Sequence, residues 1–176
     1  DFILSIVGQI QQANEKAHKL ADLAIHGNQS LKQSGPHSLN DFIRQYIDAG
    51  FAIEGLKYEL VQDNRAFDCK FDSSSIGIII DNIASNSVKA GATILQISLE
   101  ERGKYVEIAF SDNGIGLAEN INPQSLFEWG FSSNRKKKGY GIGLYHIKQL
   151  VDEMNGTVEI DTTYRRGFKL IVRLKK

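Results

Sequence analysis

The chain has 176 residues, 41% hydrophobic and 24% charged, the make-up of an ordinary globular protein with room for one core and a small appendage. Its 21 basic residues match its 21 acidic ones, so overall charge points to neither nucleic acid nor an anionic membrane, and any anion site must be built locally. One cysteine, Cys69, excludes an internal disulfide and a cysteine-built zinc cluster, and no apolar run approaches the ~20 residues of a membrane span.

No signal peptide is present, and the chain starts at Asp1, which reads as a piece of something longer. Residues 2 to about 33 read as one proline-free helix. Ile3, Ile10, Ala17, Ala24 and Leu31 recur every seven residues, with Ile6, Ala13 and Leu20 between them. Such a stripe, ~45 Å long at 1.5 Å per residue, is more than a small domain covers and favours a partner helix. Ser34-Gly35-Pro36 ends it.

Ser38 opens a second helix, with Asp41 as a variant capping box and Phe42, Ile43, Tyr46, Ile47 and Phe51 on its apolar side. Residues 57–62 and 66–71 read as two strands around the turn pair Asp63-Asn64. A helix over about 73–90, capped by Asp72 or a following serine, turns Ile76, Ile79, Ile80, Ile83 and Val88 inward. Residues 93–100 and 105–111 form a strand pair. An irregular stretch, 112–140, contains a short apolar helix near Leu126. A helix over 141–154 stops at Asn155-Gly156, and strands 157–162 and 167–174 close the chain. The fold class is α+β: a two-layer sandwich whose mixed sheet of about five or more strands is covered on one face by about three helices, with a long N-terminal helix ahead of it. The domain division expected is 1–35 and 36–176.

Three segments carry chemistry. Asn82, Asn86 and Lys89 stand at i, i+4 and i+7 on one helix face, opposite the isoleucines. Asparagine is a poor interior helix former, so this polar face is either plain solvated surface or a metal-and-phosphate face. An amide oxygen suits Mg²⁺, and a lysine supplies charge for phosphate. Asp112-Asn113-Gly114-Ile115-Gly116-Leu117 directly follows a strand. By itself it is a turn, but its second glycine permits close ligand approach, and Asp112 is placed to accept from an exocyclic amine. Gly139-Tyr140-Gly141-Ile142-Gly143-Leu144 leads into a helix, where exposed backbone N–H groups meet the positive end of the helix dipole. This is either a phosphate cradle or a hinge. It follows a long loop rather than a strand, which excludes the dinucleotide fingerprint, and no GxxxxGK[ST] loop exists in the chain. The basic run Arg135 to Lys138 is either a solvated loop or a lid over a triphosphate.

In this order the segments resemble the GHKL ATPase superfamily of gyrase, Hsp90 chaperones, histidine kinases and MutL proteins. DNIASNSVKAGA resembles its asparagine box, SDNGIGL and GYGIGL its two glycine boxes, and LFEWGFSS (126–133) the phenylalanine box that opens the ATP lid. The resemblance covers nearly all of 38–174. It implies ATP and Mg²⁺ as ligands, with Asn86 on the metal and Lys89 on the phosphates. It places Asp112 on the adenine amine, and Gly114 and Gly116 beside the base. Gly139, Gly141 and Gly143 would wrap the phosphates, flanked by Asn82, Lys138, Tyr140, Ile142 and Leu144, while Phe127 and Phe131 would anchor the lid.

Within the superfamily, the gyrase and MutL branch places a general-base Glu where this chain has Asn82, and an amide takes no proton at neutral pH. Asp81 is adjacent but points ~100° away around a helix. The kinase pattern NLxxNA resembles N82-I-A-S-N86-S, with Ser87 in place of Ala. SVKAGATILQISL is similar to the MutL-like branch, but the heptad helix followed by HSLNDFIRQYI resembles the second dimerisation helix of a histidine kinase. The resemblance therefore implies a homodimer that passes γ-phosphate to a histidine and on to a response regulator, without nucleic acid. It implies a cytoplasmic setting, with any membrane attachment upstream. There are two departures. Position 90 is Ala90 rather than an aromatic, and no His is followed by an acidic residue: Lys19 follows His18, Gly27 follows His26, Ser38 follows His37, and His146 lies in the nucleotide-site helix. The acceptor is accordingly expected outside this chain. The alternatives are a GHKL ATPase that uses slow hydrolysis as a conformational switch, for which Asp81 or another carboxylate must orient water, and a degenerate nucleotide-binding dimerisation module.

Overall fold

A computed structural model describes residues 38–51, 53–61, 66–118, 121–131 and 141–176. The chain divides into Asp1–His37 and Ser38–Lys176, and every described residue belongs to the second unit. The helix expected over 2–33, its Ser34-Gly35-Pro36 stop and the Asp63-Asn64 turn lie outside the described residues.

The order is α1 (Leu39–Tyr46), a π-helical turn (Ile47–Phe51), β1 (Lys57–Val61), α2 (Ser73–Lys89), β2 (Ile94–Arg102) and β3 (Tyr105–Asp112). A 3₁₀ turn (Pro123–Phe127), α3 (Gly143–Glu153), β4 (Thr157–Ile160) and β5 (Lys169–Lys175) complete it. The five strands form one mixed sheet, ordered β1-β2-β3-β5-β4. Only β1 and β2 run parallel, and α2 supplies the crossover that a parallel pair needs. β2, β3, β5 and β4 pair antiparallel.

Strand alternation sends one set of side chains under the helices. Ile97, Phe110 and Leu170 stand opposite one another in register, as do Leu99, Ile108 and Val172, and all six are buried. α2 meets them with Ile76, Ile79, Ile80 and Ile83, at most 3% exposed. Burying each such side chain contributes about 1.5–3 kcal/mol. Asp72 caps α2, its carboxylate accepting from Ser75 N at 2.7 Å. α1 docks on α2 where the Tyr46 ring crosses Gly77; a Cβ there would come within 2.8 Å of the ring.

Several expectations need correction. Residues 66–71 form no strand. The backbone of Phe67 is instead claimed by α1: its N–H donates to Asn40 Oδ1 at 3.1 Å and its carbonyl accepts from Leu39 N at 3.0 Å. Phe67, 1% exposed, still enters the core, so its apolar signal was real while the backbone went elsewhere. Ser38 does begin α1, but its hydroxyl lies 2.9 Å from Asp41 Oδ2 instead of capping a backbone N–H. Val88 is 41% exposed rather than inside. α3 begins at Gly143 rather than 141, because Gly141 sits at φ +64°, outside helical space.

On the outer sheet face Arg173 donates to Glu107 at 2.8 Å and to Glu159 at 2.6 Å. The hydrogen bond from Arg173 is the main cause that holds the Glu159 carboxyl below its ordinary value of 4.5. A folded value below the unfolded one means that the pair stabilises the fold above that ordinary value. The contribution disappears as pH falls through the lowered one. In urea titrations at pH 6 and pH 3, Arg173→Met should therefore lose less stability on acidification than the parent. Glu159 is half exposed and screened, so the difference should stay below about 1 kcal/mol.

Candidate functional site

β3 ends on Asp112, a carboxylate only 4% exposed. Its Oδ2 accepts from the Ser87 hydroxyl of α2 at 2.7 Å, and its Oδ1 accepts from the N–H groups of Gly114 at 2.9 Å and Phe168 at 3.1 Å. Three donors answer the cost of burying the group. The turn before β5 comes this close because Gly167 has no side chain, for a Cβ there would stand 2.1 Å from the Asp112 carbonyl oxygen. Asn113 secures the loop, accepting from the N–H groups of Thr93 and Ile94 at 2.9 and 3.0 Å. Gly114 lies against the end of α2, where its missing Cβ would meet that of Ala90 at 2.9 Å, and Ile115 N donates to the Ala90 carbonyl at 3.1 Å. Gly116 faces Gly167 at similarly short range. The small Ala90 thus seats the first glycine loop.

The polar stripe of α2 faces the start of α3. A Cβ on Gly143 would lie 3.2 Å from Asn82 Oδ1 and 3.5 Å from Asn86 Nδ2. The two amides are not equivalent. Asn82 Nδ2 donates back to the Ile78 carbonyl at 2.9 Å, whereas no described residue hydrogen-bonds the Asn86 amide. Lys89 is exposed at the end of the same helix. At α3, Ile142 occupies the cap position and among the described residues no side chain caps the first turn, where the positive end of the dipole favours an anion. Leu144 is half-buried behind it. Gly141 packs against Phe131, where a Cβ would come within 2.3 Å of the Phe131 carbonyl oxygen. Phe127 is 8% exposed and Phe131 half-buried.

Asp112 is thus hydrogen-bonded to Ser87, the asparagine face next to Ser87 lies opposite Gly143, and Gly141 lies against Phe131. Lys138, Gly139, Tyr140 and the rest of the basic run lie outside the described residues. An open cleft of about 520 Å³ at the far end of β5, lined by Lys70, Phe71, Met154 and Lys175 among others, holds none of the motif residues.

Asp81 has a different job. It is buried among the described residues and interacts with the Tyr46 hydroxyl, which burial and then Asp81 push well above the ordinary tyrosine range. Tyr58 is raised too, first by burial. Asp81 therefore belongs to the α1–α2 contact. The Cys69 thiol is pushed up to about 11, mainly by burial. Two participants escaped the sequence reading: Ser87, noted only as a replacement for Ala, and the Gly167-Phe168 turn, whose contribution is backbone and far away in sequence.

A family profile described as "Histidine kinase-, DNA gyrase B-, and HSP90-like ATPase" matches residues 71–176. The chain belongs to this family of GHKL ATPases, which makes ATP the nucleotide of the domain. Its relatives include sensor kinases. It is 30% identical over 112 residues to a probable C4-dicarboxylate sensor kinase of Bacillus subtilis, covering 59% of this chain and 21% of that protein. It is 33% identical over 102 residues to the sensor-type histidine kinase PrrB of Mycobacterium tuberculosis, covering 57% and 23%. The chain thus spans about a fifth of these relatives. The crystal structure of the PrrB ATP-binding domain superposes with a TM-score of 0.61 at 27% identity, covering 78% of this chain and 93% of that one. The catalytic domain of the histidine kinase ThkA, at 19% identity, shares the fold with a TM-score of 0.65 over 79% of this chain and 93% of its own. The resemblance and the two-layer fold expected from sequence are thereby established. Among the described residues no helix is long and apolar enough to cross a membrane.

Proposed function

We propose that this domain holds Mg-ATP among the asparagine face of α2, the Asp112 loop and the start of α3, as the ATP-binding part of a histidine kinase. In the whole protein a nitrogen of a histidine outside this chain attacks the γ-phosphorus. A P–N bond forms, the bond to the β–γ bridging oxygen breaks, and ADP leaves. The phosphoryl group then passes to an aspartate of a response regulator. The residues before 36 mediate dimerisation, and the domain works in the cytoplasm.

The observation that carries this reading is the buried Asp112 carboxylate, held by three protein donors, one of them from the same helix, α2, whose asparagine face lies opposite the start of α3. Asp112 accepts the adenine amine, Gly114 and Gly116 leave space for the base, and Gly141 and Gly143 let backbone N–H groups approach the phosphates, together with Gly139. Lys89 and Lys138 add positive charge, Asn82, Tyr140, Ile142 and Leu144 line the phosphate region, and Phe127 and Phe131 anchor the lid. No base is needed for water, because positioning and charge neutralisation serve phosphoryl transfer. The engagement of Asp81 with Tyr46 favours transfer over the hydrolytic switch.

Mg²⁺ fits Asn86, whose amide no described residue occupies. Among the described residues no three His, Cys, Asp or Glu side chains cluster, so such an ion would draw its other ligands from phosphate and water. When bound, the ion neutralises charge on the β- and γ-phosphate oxygens. Asn86→Ala should therefore erase most of the gain in affinity for a non-hydrolysable ATP analogue that Mg²⁺ provides, by about tenfold. Asn82→Ala should erase less, and titration calorimetry with Mg²⁺ and with EDTA reads both.

The function itself is tested by incubating the full-length protein with ATP radiolabelled at the γ-phosphate. Acid-labile, alkali-stable label on protein is the expected product. Free phosphate alone would instead mark a switch ATPase, and neither labelled protein nor free phosphate a degenerate nucleotide-binding module.

A further inference from the structure

Ser87 is 1% exposed and follows Asn86 on α2. The kinase pattern has Ala at this place, so the hydroxyl is extra to what the motif requires. Serine also gives a helix interior no advantage. Its hydroxyl donates to Asp112 Oδ2 at 2.7 Å.

An ionised carboxylate offers about four acceptor positions, two on each oxygen. On Asp112, Gly114 N–H and Phe168 N–H take both positions of Oδ1, and Ser87 takes one of Oδ2. Among the described donors, a single acceptor position on Oδ2 is left. Ser87 thus holds the carboxylate through the oxygen that the backbone donors leave unused. With ATP at this site as proposed above, that remaining position can take one N–H of a base.

We propose that Ser87 is a positioning residue for base selection, restricting the Asp112 carboxylate to one open acceptor so that the site takes purines with an amine at C6 and rejects those with a carbonyl there. A carbonyl oxygen has no proton to give, and an acceptor facing an acceptor is repelled. Removing the hydroxyl frees a second position on Oδ2 together with the volume of one oxygen. A water can then enter and donate to both Oδ2 and a C6 carbonyl, which rescues the wrong base.

The test is calorimetric titration of the whole chain with Mg²⁺ and non-hydrolysable triphosphates of adenosine, guanosine and purine riboside, which lacks any C6 substituent. Alanine is small and helix-favouring, so Ser87→Ala should fold, and a thermal melt checks this. Expected are a loss of about tenfold for the adenosine analogue, little change for the purine riboside analogue, and an adenosine-to-guanosine preference lowered by at least about tenfold. Ser87→Thr, which keeps the hydroxyl, should retain the preference. An equal loss for all three analogues, or an unchanged preference, would overturn the proposal while leaving the nucleotide site intact. Failure of the unaltered chain to bind any of the three would overturn the nucleotide reading and this inference with it.

Discussion

Asp112→Asn should abolish ATP binding by roughly 100-fold or more while leaving the domain folded. The two halves of that expectation have separate causes. In the variant the amide oxygen takes the place of Oδ1, because the N–H groups of Gly114 and Phe168 demand an acceptor there. The amide nitrogen then replaces Oδ2, and the Ser87 hydroxyl can rotate to accept from it. The fold thus keeps its hydrogen bonds, with a stability change of about 1 kcal/mol. The adenine amine, however, now meets a donor where it needs an acceptor. Calorimetry with a non-hydrolysable analogue and a thermal melt of the same sample check the two parts. Retained affinity in a folded variant would remove Asp112 from the site.

Gly167→Ala should damage both stability and binding. A Cβ there would lie 2.1 Å from the Asp112 carbonyl oxygen and 2.8 Å from Oδ1, so the turn ahead of β5 must retreat. Retreat breaks the pairing of Asp112 N with the Phe168 carbonyl at 2.9 Å and of Phe168 N with Oδ1 at 3.1 Å. Overpacking and lost hydrogen bonds to a charged group together cost about 2–4 kcal/mol, and ATP affinity should fall at least about tenfold with the displaced carboxylate. Gly55→Ala is the control. Gly55 also has positive φ, but no atom lies within 4 Å of its added Cβ, so the cost should be about 1 kcal/mol and ATP binding should survive. Urea denaturation and calorimetry of the two variants give the contrast. Equal losses would mean that backbone conformation, and not the approach to Asp112, is what Gly167 provides.

Much of this architecture can be read from residue types alone. Asp72 followed by isoleucines at 76, 79, 80 and 83 announces a capped helix with one apolar face, and α2 has both. An alternating run that ends on Asp112 puts this carboxylate at a strand tip, and β3 does end there. The failures have physical reasons. AFDCKF alternates as a strand would, yet Asn40 and Leu39, remote in sequence, take the backbone of Phe67. Asn82 and Asn86 look alike in the sequence, and only the bond from Asn82 to the Ile78 carbonyl tells them apart. The Phe168 N–H that grips Asp112 was invisible, since a backbone donor 56 residues away carries no residue signature. Ser87 was visible as a letter, but its meaning depends on a carboxylate on another element.

The most direct measurement is a map of backbone amide shifts as Mg²⁺ and a non-hydrolysable ATP analogue are titrated into the isotope-labelled chain. Saturable changes should gather on Asn86, Ser87, Asp112, Gly114, Gly141 and Gly143, three stretches distant in sequence that answer to one ligand. Changes centred instead on Lys70, Met154 and Lys175, around the cleft at the far end of β5, would contradict the account.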